Sequence, residues 1–226
     1  MKRLFSLSIC LLALATAMAF AGVITVNNPD FEVTTGASGS TWTGTPAYYM
    51  PGGLFNGWTY LGQSGIMQPG TVPNSLFNTV APVQPPDTTS LTFGYAGSTI
   101  GTGDIEQAVG TVASAGDVYL LSVEVGKRIG YSVGTISLLI NGNSVSGTPS
   151  ACAPTSGNWA VCTYEYVTTA SDVGKTVTID LHGASGSGAQ ASFDDVSLQD
   201  GVPEPGTFAL LGFGFLAIVK LARRQK

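Results

Sequence analysis

The chain has 226 residues, of which only 10% are charged, with 30 Gly and 12 Pro; an ordinary soluble domain is about 25% charged. That composition excludes a coiled coil, a helical bundle and a charge-rich cytosolic enzyme, and it fits short strands joined by Gly- and Pro-rich turns. The net charge is −5 overall, but residues 22–200 hold three basic residues (Lys127, Arg128, Lys175) against 13 acidic ones, a net of −10, which makes nucleic acid a poor partner and leaves calcium or neutral sugars as better ones.

The N-terminus reads Met1-Lys2-Arg3, then an apolar run from Leu4 to Ala19, then small residues. This is the layout of a secretory signal peptide, predicted as a helix within 1–21 and removed by signal peptidase. Two cleavage frames fit, Ala17-Met18-Ala19 and Ala19-Phe20-Ala21. The second is preferred because it starts the mature chain at Gly22, just before the first strand.

Aromatic residues come early in the mature chain. Trp42, Tyr48, Tyr49, Trp58 and Tyr60 lie among Gly, Ser and Thr, with Asn56, Gln63 and Gln68 nearby. Exposed rings of this kind stack on the C–H faces of sugars while amides read the hydroxyls, so these five form a candidate carbohydrate-binding surface. Burial in the core is the competing reading, strongest for Trp58. Further on, Asp104 and Glu106 share one strand face as a pair of carboxylates, which a solvated face also explains.

From Val118 onward the chain alternates with the period of a strand. Tyr119, Leu121, Val123 and Val125 share a face; Ile136, Leu138 and Ile140 do so in the next segment. Ala160–Val167, the Val177-Ile179-Leu181 segment and Ser192–Leu198 follow. Turn signals at 115–117, 141–143, 172–174 and 183–188 separate them, and Asn141-Gly142 after an apolar strand predicts a hairpin. Strands at this spacing, with no amphipathic helix, predict an all-β antiparallel sandwich over 22–200. Cys152 and Cys162 are the cysteines left after signal cleavage, and outside the cytoplasm they are expected to form a disulfide. His182, the one His, reads as a loop residue without partners for a catalytic triad.

At the C-terminus Pro203-Glu204-Pro205 precedes an apolar run from Thr207 to Val219, and Arg223-Arg224 lies near the end. The run is short for a span, the basic tail fits a cytoplasmic end, and the prolines separate a hydrophobic helix in 201–226 from the domain. This tripartite end resembles the PEP-CTERM sorting signal of Gram-negative bacteria. The resemblance implies transient membrane anchoring, processing by an exosortase, and a place on the cell envelope, surface or extracellular matrix, in the setting of biofilm.

Two further resemblances concern the middle. Asn28-Pro29-Asp30-Phe31-Glu32, Gly57-Trp58 and the closing Phe193-Asp194-Asp195-Val196-Ser197-Leu198 resemble the galactose-binding-like jelly rolls, including carbohydrate-binding modules of the CBM4/9 type. The likeness implies a jelly-roll β-sandwich whose first and last strands lie together. Glu32 on the first strand and Asp194 or Asp195 on the last are expected to converge there, and clustered carboxylates suit calcium, which takes six to eight hard oxygens. The expected ligands are Asn28, Asp30, Glu32, Asp194 and Asp195; adjacent residues of a strand face opposite ways, which favours Asp195 over Asp194. Ile105-Glu106-Gln107 and Tyr119 to Arg128 resemble the calcium-dependent Stig cyclases, which share this fold. The expectation is a non-catalytic surface or matrix protein that binds extracellular polysaccharide and is stabilised by calcium. The alternatives are a ligand-free matrix protein and a cyclase-like or glycan-active enzyme, with Asp194 as proton donor in the cyclase case.

Overall fold

The structure, a computed structural model, describes residues 20–32, 47–68, 77 and 92–201. The signal segment up to Ala19, Trp42 and the sorting segment from Val202 lie outside the described residues. Every regular element among those described is a strand, so none is a helix long and apolar enough to cross a membrane.

Two antiparallel sheets form a sandwich. The larger has the order β11 (Thr148–Pro149), β12 (Asn158–Val167), β8 (Val118–Lys127), β14 (Ala191–Gly201), β6 (Phe93–Ala96), β5 (Ser64–Gln68) and β2 (Ala47–Tyr49); β1 (Phe20–Ile24) pairs with the far end of β14. The smaller has the order β10 (Asn143–Ser144), β9 (Thr135–Ile140), β13 (Thr176–Gly183), β7 (Gly103–Thr111), β4 (Trp58–Gly62) and β3 (Gly53–Phe55). The period-two pattern explains the layers. Leu121, Val123 and Val125 of β8 meet Leu138, Ile179 and Leu181 of the other sheet in one core, all fully buried. Removing such apolar surface from water is the main force that closes the sandwich.

The local signals act where they stand. Asn141 and Gly142 both take positive φ, 52° and 76°, and link β9 to β10 with Asn143 opposite Ile140. That is the turn whose twist suits two antiparallel strands. Cys152 and Cys162 are joined by a disulfide that ties the segment after β11 to the middle of β12.

Two expectations change. The first strand is β1, which pairs Ile24 with Leu198, and Glu32 lies in the loop after it rather than on a strand. His182 is not a loop residue: it sits in β13 opposite Asp104 of β7. A single His before a Gly looks like a loop locally, but partner strands on both sides hold it in the sheet.

Candidate active site

Strand β14 carries an extra residue. Asp194 pairs with Glu124 of β8, yet Ser197 pairs with Ser122, so three steps on β14 match two on β8. Asp195 takes φ 47° to make this bulge. The expected alternation therefore fails at the point where it was invoked: Asp194 and Asp195 do not diverge, and both place a carboxylate oxygen within 4.8 Å of one on Asp30.

Asp30 arrives on a tightly held loop. Val196 N–H donates to Pro29 O at 3.1 Å, and Trp58 Nε1 donates to Asn28 O at 2.9 Å. Gln107 clamps Asn27 twice, accepting its N–H at 2.7 Å and donating to its carbonyl at 2.9 Å. Phe31 is fully buried against Trp58, ring centroids 5.0 Å apart, with Gly94 leaving room for its ring. Among the described residues, five other than Gly have positive φ. Asn56 and Asn141 are in turns, where Asn is ordinary, but Asn28, Phe31 and Asp195 surround the acidic cluster. Strain concentrated at one place is characteristic of functional sites.

The cluster is electrostatically costly without a cation. Burial, followed by the charge of Asp195, pushes the Asp194 carboxyl well above its ordinary range, and Asp30 and Glu32 add to this. Asp195 is pushed up to about 7 by burial and then by its hydrogen bond with Asp30. Its Oδ2 is buried without a partner. Three converging carboxylates, one with an unmet oxygen, fit a hard cation. Glu32 stays outside the close group, and the Asn28 side-chain amide is buried with an unmet Nδ2.

Asp194 also belongs to a second environment. The face of the larger sheet turned away from the core carries Glu124 opposite Asp194, Gly126 opposite Ser192 and Trp159, Tyr95 opposite Ser192, and Phe93 opposite Met67. Met67, Phe77, Phe93 and Tyr95 are buried in a small cluster of their own, with Trp159 packed on it. Phe77 stacks on Trp159 at 5.0 Å, and Phe93 meets both rings edge-on. On this face Glu124 Oε2, Ser192 Oγ and Trp159 Nε1 are buried without hydrogen bonds. Buried polar atoms are nearly always satisfied. Unmet atoms on one face next to a raised-pKa acid make this face the candidate ligand site.

Gly126 makes room for this arrangement: a Cβ there would stand 2.8 Å from the Trp159 ring. Gly126→Ala is expected to lower stability by about 1–3 kcal/mol through overpacking. It should also alter the near-UV circular dichroism of the rings; an unchanged aromatic spectrum at wild-type stability would contradict this packing.

The outward face of the smaller sheet holds a second group. His182 Nδ1 lies 2.5 Å from Asp104 Oδ1, Ser137 Oγ donates to Asp180 at 2.9 Å, and Glu106 pairs with Asp180. Burial raises the Glu106 carboxyl, with the charges of Asp180 and Asp104 adding to it, and burial raises Asp180 against the lowering effect of its Ser137 hydrogen bond. The Asp104–Glu106 face therefore extends across three strands. His182 and Asp104 remain about a third exposed or more.

The predicted sugar surface does not assemble as expected. Trp58 and Tyr60 are core residues, 0% and 2% exposed, and burial raises the Tyr60 hydroxyl pKa. Tyr49 packs edge-on against Phe55 at 5.1 Å and Trp42 lies outside the described residues, while the register of Tyr48, opposite Met67, puts that position on the outer face with Met67 and Phe93. The aromatic surface beside the acid is made instead by Phe77, Phe93, Tyr95 and Trp159. Two signals point to it: Phe93-Gly94-Tyr95, with rings flanking a glycine, and Glu124, the lone acid in a mostly apolar strand.

Residues 22–199 match the HpiC1 cyclase family, described as HpiC1-like, and residues 201–225 match the PEP-CTERM protein-sorting motif. That motif implies processing by an exosortase and export to the cell envelope or surface of a Gram-negative bacterium. No curated protein matches the chain. Among solved structures, a cyclase from Fischerella sp. TAU is 18% identical with a TM-score of 0.56, covering 79% of this chain and 96% of that one. A cyclase from Fischerella sp. TAU in complex with 4-(1H-indol-3-yl)butan-2-one gives 18% and 0.56, over 80% and 98%. The CBM22-1 xylan-binding domain of Paenibacillus barcinonensis Xyn10C gives 15% and 0.41 over 66% and 88%, too distant to support any inference. The family match overturns the expectation of a non-catalytic domain, because the family is one of cyclases.

Proposed function

The chain belongs to the HpiC1-like cyclase family, and from that premise we propose that its exported jelly-roll sandwich, residues 22–200, is an acid-initiated cyclase with Asp194 as the proton donor. The observation that carries this reading is a buried carboxyl with a strongly raised pKa, placed in register on a face lined by aromatic rings. A carboxylic acid that burial holds well above the ordinary carboxylate range is suited to act as a general acid.

The chemistry balances as an isomerisation. The Asp194 O–H bond breaks as a C–H bond forms at one carbon of a substrate alkene. The alkene electron pair is consumed, and the neighbouring carbon becomes cationic. The faces of Trp159, Phe93 and Tyr95 stabilise that charge as π-systems stabilise cations. An electron-rich carbon of the same substrate then closes the ring, and loss of a proton returns the acid form. Indole compounds fit the substrate side, since a Fischerella cyclase is in complex with one.

Calcium, when bound, would act on structure: Asp30 and Asp195 would hold it, with Asn28 and Glu32 of the same loop contributing oxygens, and tie the loop to the bulge that positions Asp194. The test is turnover of alkenyl indoles in D2O with calcium present. Products isomeric with the substrate and carrying one deuterium on carbon support the reading. Recovery of unlabelled, uncyclised substrate from a well-folded sample counts against it.

A further inference from the structure

One edge of β14 pairs with β8, and its other edge is covered in two pieces, by β6 at 191–193 and by β1 at 198–201. Between those pieces Val196 N–H donates to Pro29 O, so the N-terminal segment lines the edge that leads to the Asp194–Asp195 bulge. The cover is short. The ladder of β1 is irregular between Phe20 and Gly22, and its regular part sets Gly22 against Asp200, Val23 against Gln199 and Ile24 against Leu198.

The Asp200 carboxylate lies over Gly22: its Oδ1 is 2.5 Å from where a Cβ of Gly22 would stand. The backbone nitrogen of Gly22 hangs from the same Cα, which puts it within about 5 Å of that oxygen by standard bond lengths. No side-chain cation pairs with Asp200, because among the described residues the sole ion pair is His182 with Asp104. The charge of Asp200 is felt at Tyr119, its partner on β8, where it adds to burial and to Asp117 in raising the hydroxyl pKa. Of the two cleavage frames in the N-terminal segment, the one after Ala21 turns the Gly22 nitrogen into a free α-amine.

We propose that signal peptidase cuts between Ala21 and Gly22, and that the α-ammonium released there binds the Asp200 carboxylate. Water adds across the amide: the C–N bond breaks, Ala21 leaves as a carboxylate, and Gly22 keeps its nitrogen as an ammonium. The cut takes the Phe20–Gly201 pair away from β1, and the new ion pair holds the shortened strand on β14. Before the cut this nitrogen is an uncharged amide, so the latch exists only in the mature protein. The proposal stands apart from the cyclase reading: it assigns a processing site and a partner for the group that processing creates.

The test uses the full chain, exported by its own N-terminal segment in a Gram-negative host and recovered from the envelope. Mass spectrometry of the N-terminal peptide should give Gly22 as the first residue. Competitive acetylation across a pH series should then show its α-amine titrating about half a unit above the ordinary range of about 7.7–8.0, because a nearby carboxylate favours the charged form. Asp200→Asn should return it to that range. Salt at about 1 M, where the screening length falls to about 3 Å, should shrink the shift in the wild type, a readout that needs no variant to fold. A first residue of Phe20 or an uncut N-terminus overturns the proposal. An ordinary α-amine in the wild type overturns it too, as does a raised value that persists in Asp200→Asn or in high salt.

Discussion

Replacing Asp194 by Asn is expected to abolish cyclisation, lowering kcat by about 10^2–10^4-fold, the usual contribution of a general acid, while the fold survives. The two side chains have the same shape, and Asn retains an oxygen to accept the Asp195 N–H, which lies 3.1 Å from Asp194 Oδ1. Removing the acid should not harm the calcium-free protein at neutral pH. The raised pKa means that folding holds the proton tightly, so ionisation of Asp194 weakens the fold as pH rises through that value. The same sign governs rate: activity is present while the carboxyl is protonated and falls as pH rises through its raised pKa. Calcium affinity separates two roles for this residue. Lost turnover with calcium affinity kept marks the proton donor; loss of both marks a cation ligand, which cannot hold a proton. Wild-type kcat in the variant would end the acid assignment.

Much of the architecture was legible because strands announce themselves locally. The alternation in β8, β9 and β13, the Asn141-Gly142 turn and the Cys152–Cys162 pair all depend on residues close in sequence. The site depends on register between distant strands, which no local period encodes. The Asp194-Asp195 pair reads as two opposite faces until the third step of β14 is matched against two of β8. His182 meets Asp104 across a separation of 78 residues. Trp58 sits in a polar-looking stretch, yet the loop carbonyl of Asn28 accepts from its indole inside the core.

Calcium is expected to raise the melting temperature by about 5–10 °C at a hundredfold excess over its dissociation constant. Mass action gives about 2.7 kcal/mol at that excess, and each kcal/mol shifts a domain of this size by about 2–4 °C. The effect should be larger at pH 8 than at pH 5. Without a cation, the folded state keeps protons on Asp194 and Asp195 that the unfolded chain releases near pH 4. The calcium-free fold therefore loses stability as pH rises through about 7, where Asp195 titrates in the folded state. Calcium needs the ionised forms, so its affinity climbs over the same window as fewer protons must be displaced. Stability of the free and loaded forms should thus diverge with rising pH. Asp30→Ala and Asp195→Ala should each erase the calcium shift, and each should raise the calcium-free melting temperature at pH 8 by thinning the carboxylate cluster. No shift at pH 8 in a folded sample would remove the cation site. Because Val196 N–H is bonded to Pro29 O beside the bulge, calcium that ties Asp30 to Asp195 also fixes where Asp194 points. A chelator should then lower kcat as well as stability, although the ion itself touches no substrate.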